Sequence, residues 1–257
     1  RPLRGLIAPH IDFERGGKVY GSAYRKLYES GKPDLVILFG VAHSGAATPF
    51  VLTRKHFETP LGILQTDQEA VTQLEKACAW NPYATEIAHK MEHSIEFQAL
   101  MLAYLYGTDV PIIPILCAFP SGNPGRMKQE EEDISSFLEV CAALANDKKR
   151  NVTVIAGADL SHVGKHFGDD IDISEEVIAK VKKHDLADLE QVTAGNAENF
   201  FNAVMADGNE RHICGLGCIY ATLTTLQGHV ASGKLLSYDC APDPVDGIVS
   251  FASISLE

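Results

Sequence analysis

Val154-Ile155-Ala156-Gly157-Ala158-Asp159-Leu160-Ser161-His162 decides how the rest of the chain is read. A short run of apolar and small residues is followed at once by an acid, a hydroxyl and an imidazole. A strand that is apolar at consecutive positions, rather than alternate ones, is buried on both faces. The same design occurs at Leu6-Ile7-Ala8-Pro9-His10, with Asp12 beyond it, and at Val36-Ile37-Leu38-Phe39-Gly40, with His43 beyond it. Further β-rich runs bring the set to 3–9, 35–40, 49–53, 110–117, 152–158, 234–240 and 248–254. Helical patterns at 20–30, 67–79, 94–106, 126–146, 174–184, 197–206 and 214–226 separate many of them. Asp67 ahead of Gln68-Glu69-Ala70, and Ser174 ahead of Glu175-Glu176, read as N-caps with acidic first turns. Doubly buried strands alternating with helices predict an α/β fold of three layers, α/β/α, around a mainly parallel or mixed sheet. No repeat and no Gly/Ser linker divides residues 1–257, so the expectation is a single domain. The strand pattern is already running at Arg1, which leaves room for a segment upstream.

The charge balance narrows the function classes. Twenty-two Lys and Arg stand against 34 Asp and Glu, a net charge of −12. That argues against a nucleic-acid-coating protein and against docking on anionic membranes. The longest apolar runs, 35–42 and 110–119, fall short of the ~20 residues of a spanning helix, and no basic signal segment opens the chain. The cytoplasm is the expected compartment. Six cysteines (78, 117, 141, 214, 218 and 240) form no CxxC pair, as in a reducing environment where most are small apolar packing residues.

In an open α/β sheet, ligands bind beyond the carboxyl ends of the strands. Three separate strand ends here each carry a histidine: His10, His43, and His162 with Asp159. Convergent imidazoles with an acid are the inventory of a transition-metal site or an acid–base centre. Cys214, in Arg211-His212-Ile213-Cys214-Gly215-Leu216-Gly217-Cys218, is the fourth candidate. If a helix begins there, its N-terminus lowers the thiol pKa and makes Cys214 a soft ligand or a nucleophile. Cys218 reads as packing. Glu92 and His93 open the helix 94–106, where either a role in the site or capping and dipole compensation fits them. His89 and His93 have zincin spacing, but Lys90 stands where the glutamate must be, and a zinc protease is not expected. His166 reads as a surface residue, and His56, His184, His212 and His229 as solvated. The chain lacks GxxxxGK[ST], GxGxxG and GxSxG, so no nucleotide cofactor and no serine hydrolase is expected.

Six ordered motifs carry a resemblance: Ala8-Pro9-His10, Gly40-Val41-Ala42-His43, Thr59-Pro60-Leu61-Gly62 with Asp67, Glu92-His93-Ser94-Ile95-Glu96, Asp159-Leu160-Ser161-His162 and Ile213-Cys214-Gly215. Over nearly its whole length the chain resembles the Memo family, whose microbial members are called AmmeMemoRadiSam system protein B. That family is similar in fold to the class III extradiol dioxygenases, which hold non-haem Fe(II) with two histidines and a carboxylate. The resemblance implies His10, His43 and Cys214 as ligands of Fe(II) or Cu(I), with Asp159 and His162 lining the site and His162 as its acid–base histidine. It also implies AMMECR-type and radical-SAM proteins as partners, beside a small-molecule substrate or peptide. The human member is described as a phosphotyrosine-peptide adaptor, but Ile11-Asp12-Phe13-Glu14-Arg15-Gly16-Gly17 departs from its sequence.

The expected function is therefore a metal-dependent oxidoreductase, dioxygenase-like, with Glu92, His93, Asp159 and His162 as catalytic candidates. The alternatives are a non-catalytic adaptor using the same pocket, a metal-handling protein, and a cysteine hydrolase built on Cys214 with His162. The sequence has no clustered arginine patch of the kind that reads phosphopeptides.

Overall fold

A computed structural model describes residues 3–119 and 124–257, without the side chains of residues 124–130; Arg1, at which the strand pattern was read as already running, lies outside the described residues. In chain order the elements are β1 (Gly5–Ala8), α1 (Phe13–Ser30), β2 (Leu35–Val41), β3 (Phe50–Leu52), β4 (Phe57–Thr59), β5 (Gly62–Leu64), α2 (Gln68–Lys76), α3 (Ala88–Met91), α4 (His93–Tyr106), β6 (Ile112–Cys117), α5 (Pro124–Ala145), β7 (Val152–Gly157), β8 (His162–Val163), a 3-10 turn (Lys165–Phe167), α6 (Glu175–Thr193), α7 (Ala197–Met205), α8 (Leu216–Thr225), β9 (Gly233–Asp243) and β10 (Gly247–Leu256). The main sheet has eight strands in the order β3-β6-β2-β7-β1-β10, with β8 and β9 both paired to β10. Its centre, β6-β2-β7-β1, is parallel, and β3 and β10 close the two sides antiparallel. The short β4–β5 hairpin stands apart.

Doubly buried strands are what the apolar runs demanded, and the packing shows why. Leu35, Ile37 and Phe39 of β2 face a core shared with α2, α5, α7 and α8. Val36 and Leu38 face the opposite core, shared with α1 and α4. The three-layer α/β/α architecture holds. Asp67 and Ser174 cap their helices as read, accepting from the backbone N–H groups of Ala70 and Val177. No helix among the described residues is long and apolar enough to cross a membrane.

Three of the departures of the helix boundaries from the reading have a direct physical cause. Helix α1 begins at Phe13 rather than Tyr20, because the Asp12 carboxylate accepts from Arg15 N–H and from its guanidinium at 2.6 Å. Asp12 is therefore a cap. Helix α6 continues past His184 to Thr193, since its buried face carries Asp185 and Asp188 among Val181, Leu189 and Val192. Those two acids interrupt the apolar period on which the reading relied. Helix α8 starts at Leu216, with Gly215 at its N-cap, so Cys214 precedes the helix instead of opening it.

Candidate metal centre

The carboxyl ends of β1, β2 and β7 deliver His10, His43 and Asp159 to one place, and the first turn of α4 brings His93 over them. Two glycines make that approach feasible. A Cβ on Gly157 would overlap the Ser94 carbonyl oxygen, and one on Gly40 would overlap the Ser94 hydroxyl and Ile95. The Ser94 hydroxyl accepts from Val41 N–H at 2.9 Å, and Gln98 Nε2 donates to Pro9 O at 2.8 Å. Helix α4 is thus fastened to the ends of β1 and β2, which fixes the position of His93.

The three imidazoles meet at ring-centroid distances of 5.0–5.3 Å, with His43 and His93 stacked and His10 edge-on to both. Among the described residues, His10, His43 and His93 form the group whose ligand atoms lie within 4.8 Å of one another. His10 is buried, whereas His43 and His93 reach solvent. His10 Nδ1 sits 2.9 Å from Gly157 O and can only donate to that carbonyl, so its Nε2 lone pair faces the cluster. His43 Nδ1 donates to Glu92 Oε2 at 2.7 Å, while His43 N–H donates to Oε1 at 2.6 Å. Fixing one ring nitrogen on an acceptor so that the other is presented as a donor is how proteins prepare histidine ligands.

Burial favours the neutral ring at His10, His93 and His162. Burial, reinforced by His43, lowers His10 to about 3, and burial lowers His93 and His162 as well. Burial alone would raise Glu92, but the hydrogen bonds from His43 outweigh it and hold the carboxyl below its ordinary range. Burial raises Asp159 to about 6, opposed by the hydrogen bond it accepts from His10 N–H at 2.9 Å.

Each sequence candidate has a definite place. Asp159 Oδ2 is 3.6 Å from His10 Nε2. His162 lies on the short strand β8, with its Nδ1 held by Leu160 O at 3.0 Å, which leaves Nε2 as the proton-accepting atom. Cys214 Sγ is 3.4 Å from His10 Nε2, yet it stands outside the His10–His43–His93 group. Burial raises its thiol well above the ordinary value. The expected lowering fails because burial, reinforced by the Asp159 carboxylate and Cys218, outweighs it. Its imidazole neighbour is His10, not His162. Glu92 accepts from no backbone amide of α4, so its carboxylate serves His43 rather than capping the helix. The zincin-like spacing dissolves, since His89 belongs to α3 and His93 to α4, with extended Glu92 between them. His166 is exposed and paired to Asp243.

Sequence reading missed the part of His93 as a cluster member on a par with His10 and His43. Its signal was there, because a helix first turn pointing at strand ends presents its first side chain to them. Beyond Glu92 lies a cavity of about 560 Å³ between α3 and the β4–β5 hairpin, lined in part by Phe57, Ile87, His89 and Glu92 itself.

Comparisons with known proteins identify the family and the fold. The family model described as "Memo-like protein" matches residues 1–255. A MEMO1 family protein of Aquifex aeolicus is 33% identical over 98% of this chain, which spans 63% of that relative's length. A MEMO1 family protein of Methanopyrus kandleri is 30% identical over 98% of this chain and 82% of its own length. One from Pyrococcus furiosus is 27% identical over 99% and 86%. Among solved structures, an uncharacterized protein of Escherichia coli K12 shares the fold with a TM-score of 0.53, at 14% identity, covering 99% of this chain and all of that one. With a family match over residues 1–255 and a Methanopyrus kandleri relative 30% identical and covered over 82% of its length, the chain belongs to the Memo family.

Proposed function

We propose that this protein is a metal-dependent redox protein of the dioxygenase-like kind, built around Fe(II) or Cu(I). The observation that carries the reading is the His10–His43–His93 cluster, with the Nδ1 atoms of His10 and His43 tied to Gly157 O and Glu92. The donor set fits such an ion, because neutral imidazoles suit iron and copper, and a thiolate at Cys214 would soften the site toward copper. His10 and His43 would hold the ion, with Cys214 or His93 as the third donor. When bound, the ion supplies one-electron chemistry and an open coordination position.

The chain's own residues do the rest. Glu92 and Gly157 O orient the ligating rings. His162, kept neutral by burial, accepts a proton at Nε2. Asp159 anchors the backbone of His10 and stands beside its Nε2. The six free thiols support a reducing compartment such as the cytoplasm.

The test is metal content of anaerobically purified protein, comparing wild type with His10→Ala, His43→Ala, His93→Ala and Cys214→Ser. Near-stoichiometric iron or copper that is lost in His10→Ala and His43→Ala supports the site, and whichever of the other two also loses it is the third donor. Wild type that refuses both Fe(II) and Cu(I) sinks the proposal. A second reading, a partner-binding pocket without turnover, rests on the cavity beside Glu92 and on Ile87, which lines it and is 70% exposed.

A further inference from the structure

One buried carboxylate outside the cluster receives more hydrogen bonds than any ligand candidate. Asp185, on α6, is 1% exposed. Its Oδ1 accepts from the Ser161 hydroxyl at 2.5 Å and from Arg211 Nη1 at 2.6 Å. Its Oδ2 accepts from the Ser250 hydroxyl at 2.5 Å and from the Tyr238 hydroxyl at 2.9 Å. These partners come from four different segments. A buried charge of this kind is stable only when fully paired, so the segments are held to one another through it.

What they carry matters. Ser161 stands between Asp159 and His162. Arg211 stands three residues before Cys214, and its carbonyl accepts His162 N–H at 2.8 Å. Its second guanidinium nitrogen is paired to Asp188. Gly215 N–H donates to Asp159 O at 3.1 Å, joining the two loops again at the cluster itself. Ser250, on β10, accepts Leu160 N–H on its carbonyl and Ser161 N–H on its hydroxyl.

We propose that Asp185 is a positioning residue: by gripping Ser161 and Arg211 together, it sets the loop of Asp159 and His162 and the loop of Cys214 in register against His10. The proposal rests on the metal-site reading above, so its test keeps the two separable. The variants are Asp185→Asn, which is isosteric but uncharged, and Arg211→Lys, which keeps the charge but loses the planar fork. Asp188→Asn, which touches only the outer arm of the fork, is the comparator.

The first readout needs no metal. It is the alkylation rate of Cys214 in metal-stripped folded protein, resolved by peptide mass spectrometry, with half-buried Cys78 as internal reference. Asp185→Asn should speed Cys214 by about tenfold or more while Cys78 keeps its rate, with Asp188→Asn closer to wild type. The second readout is the near-ultraviolet thiolate-to-metal absorption of added Co(II), which should weaken in Asp185→Asn, with Co(II) affinity falling about 10–100-fold. Cys214 and Cys78 rates that rise together, or a Cys214 rate that stays at the wild-type value, would overturn the positioning role. If Asp185→Asn does not fold, Arg211→Lys decides by the same criteria. A wild type without the Co(II)–thiolate absorption would count against Cys214 as a ligand, and the alkylation comparison would still decide the role of Asp185.

Discussion

His89 offers a way to measure how firmly the wall beside the candidate site is closed. It is 9% exposed, and its Nε2 lies 3.0 Å from Val51 O, to which it donates. Burial lowers its pKa from 6.5 to about 4, against the opposing pull of the Val51 carbonyl, Glu86 and Glu92. The folded protein therefore keeps this ring neutral over a range where the unfolded chain takes up a proton. Between pH 6.5 and about 4 the unfolded state binds more protons, so stability is full above pH 6.5 and falls as the pH drops through that window. The gap between the two values is worth about 3 kcal/mol when fully expressed, of which about 2 kcal/mol has been lost at pH 5. His89→Gln keeps an N–H donor near Val51 O but cannot titrate. Urea unfolding of metal-stripped wild type and His89→Gln at pH 7.5 and pH 5 isolates the difference, because His10, His93 and His162 contribute equally to both chains. Wild type should lose about 2 kcal/mol more than the variant between the two conditions. Two proteins that lose stability in parallel, within about 0.5 kcal/mol, would show that His89 is not held neutral and that this wall is open to water.

Glu92→Gln leaves His43 with a weaker, uncharged partner, so metal affinity measured by competition titration should fall about 10–100-fold with the fold intact; unchanged affinity would deny that Glu92 orients His43. Gly157→Ala drives a methyl into Ser94 O and should destabilise by about 1–3 kcal/mol in urea unfolding. Gly21→Ala, in helix α1 with nothing within 4 Å of the new Cβ, should instead stabilise by about 0.5–1 kcal/mol; equal effects of the two would refute the close-approach argument. Saturating Fe(II) or Cu(I) at a hundredfold excess over Kd should stabilise the wild type by about 2.7 kcal/mol, read as a rise in Tm that His10→Ala abolishes.

The layers of the fold were readable because burial on both faces writes itself into a strand as an unbroken apolar run, as in Leu35–Val41 and Val152–Gly157. The ends of helices were harder. Asp12 capping α1 ahead of Gly16-Gly17 went unread because two glycines argue locally against a helix, while packing of Gly16 against Ile11 and Tyr20 requires one of them. Asp185 and Asp188 hid the second half of α6 because a buried acid looks like an exposed one until its partners are known, and those partners lie up to 65 residues away.

By itself, then, the sequence determined the α/β class, a mainly parallel or mixed sheet and the gathering of His10, His43, Asp159 and His162 at one edge. Parallel strands share a direction, so residues just past their carboxyl ends must share a side. Only the tertiary structure decided which nitrogen each histidine presents, that Glu92 serves His43 rather than its own helix, that His93 joins the cluster, and that Cys214 meets His10 with its thiol raised rather than lowered. Those outcomes depend on hydrogen-bond acceptors and helix ends supplied by remote segments, and no local spacing encodes their distance or direction.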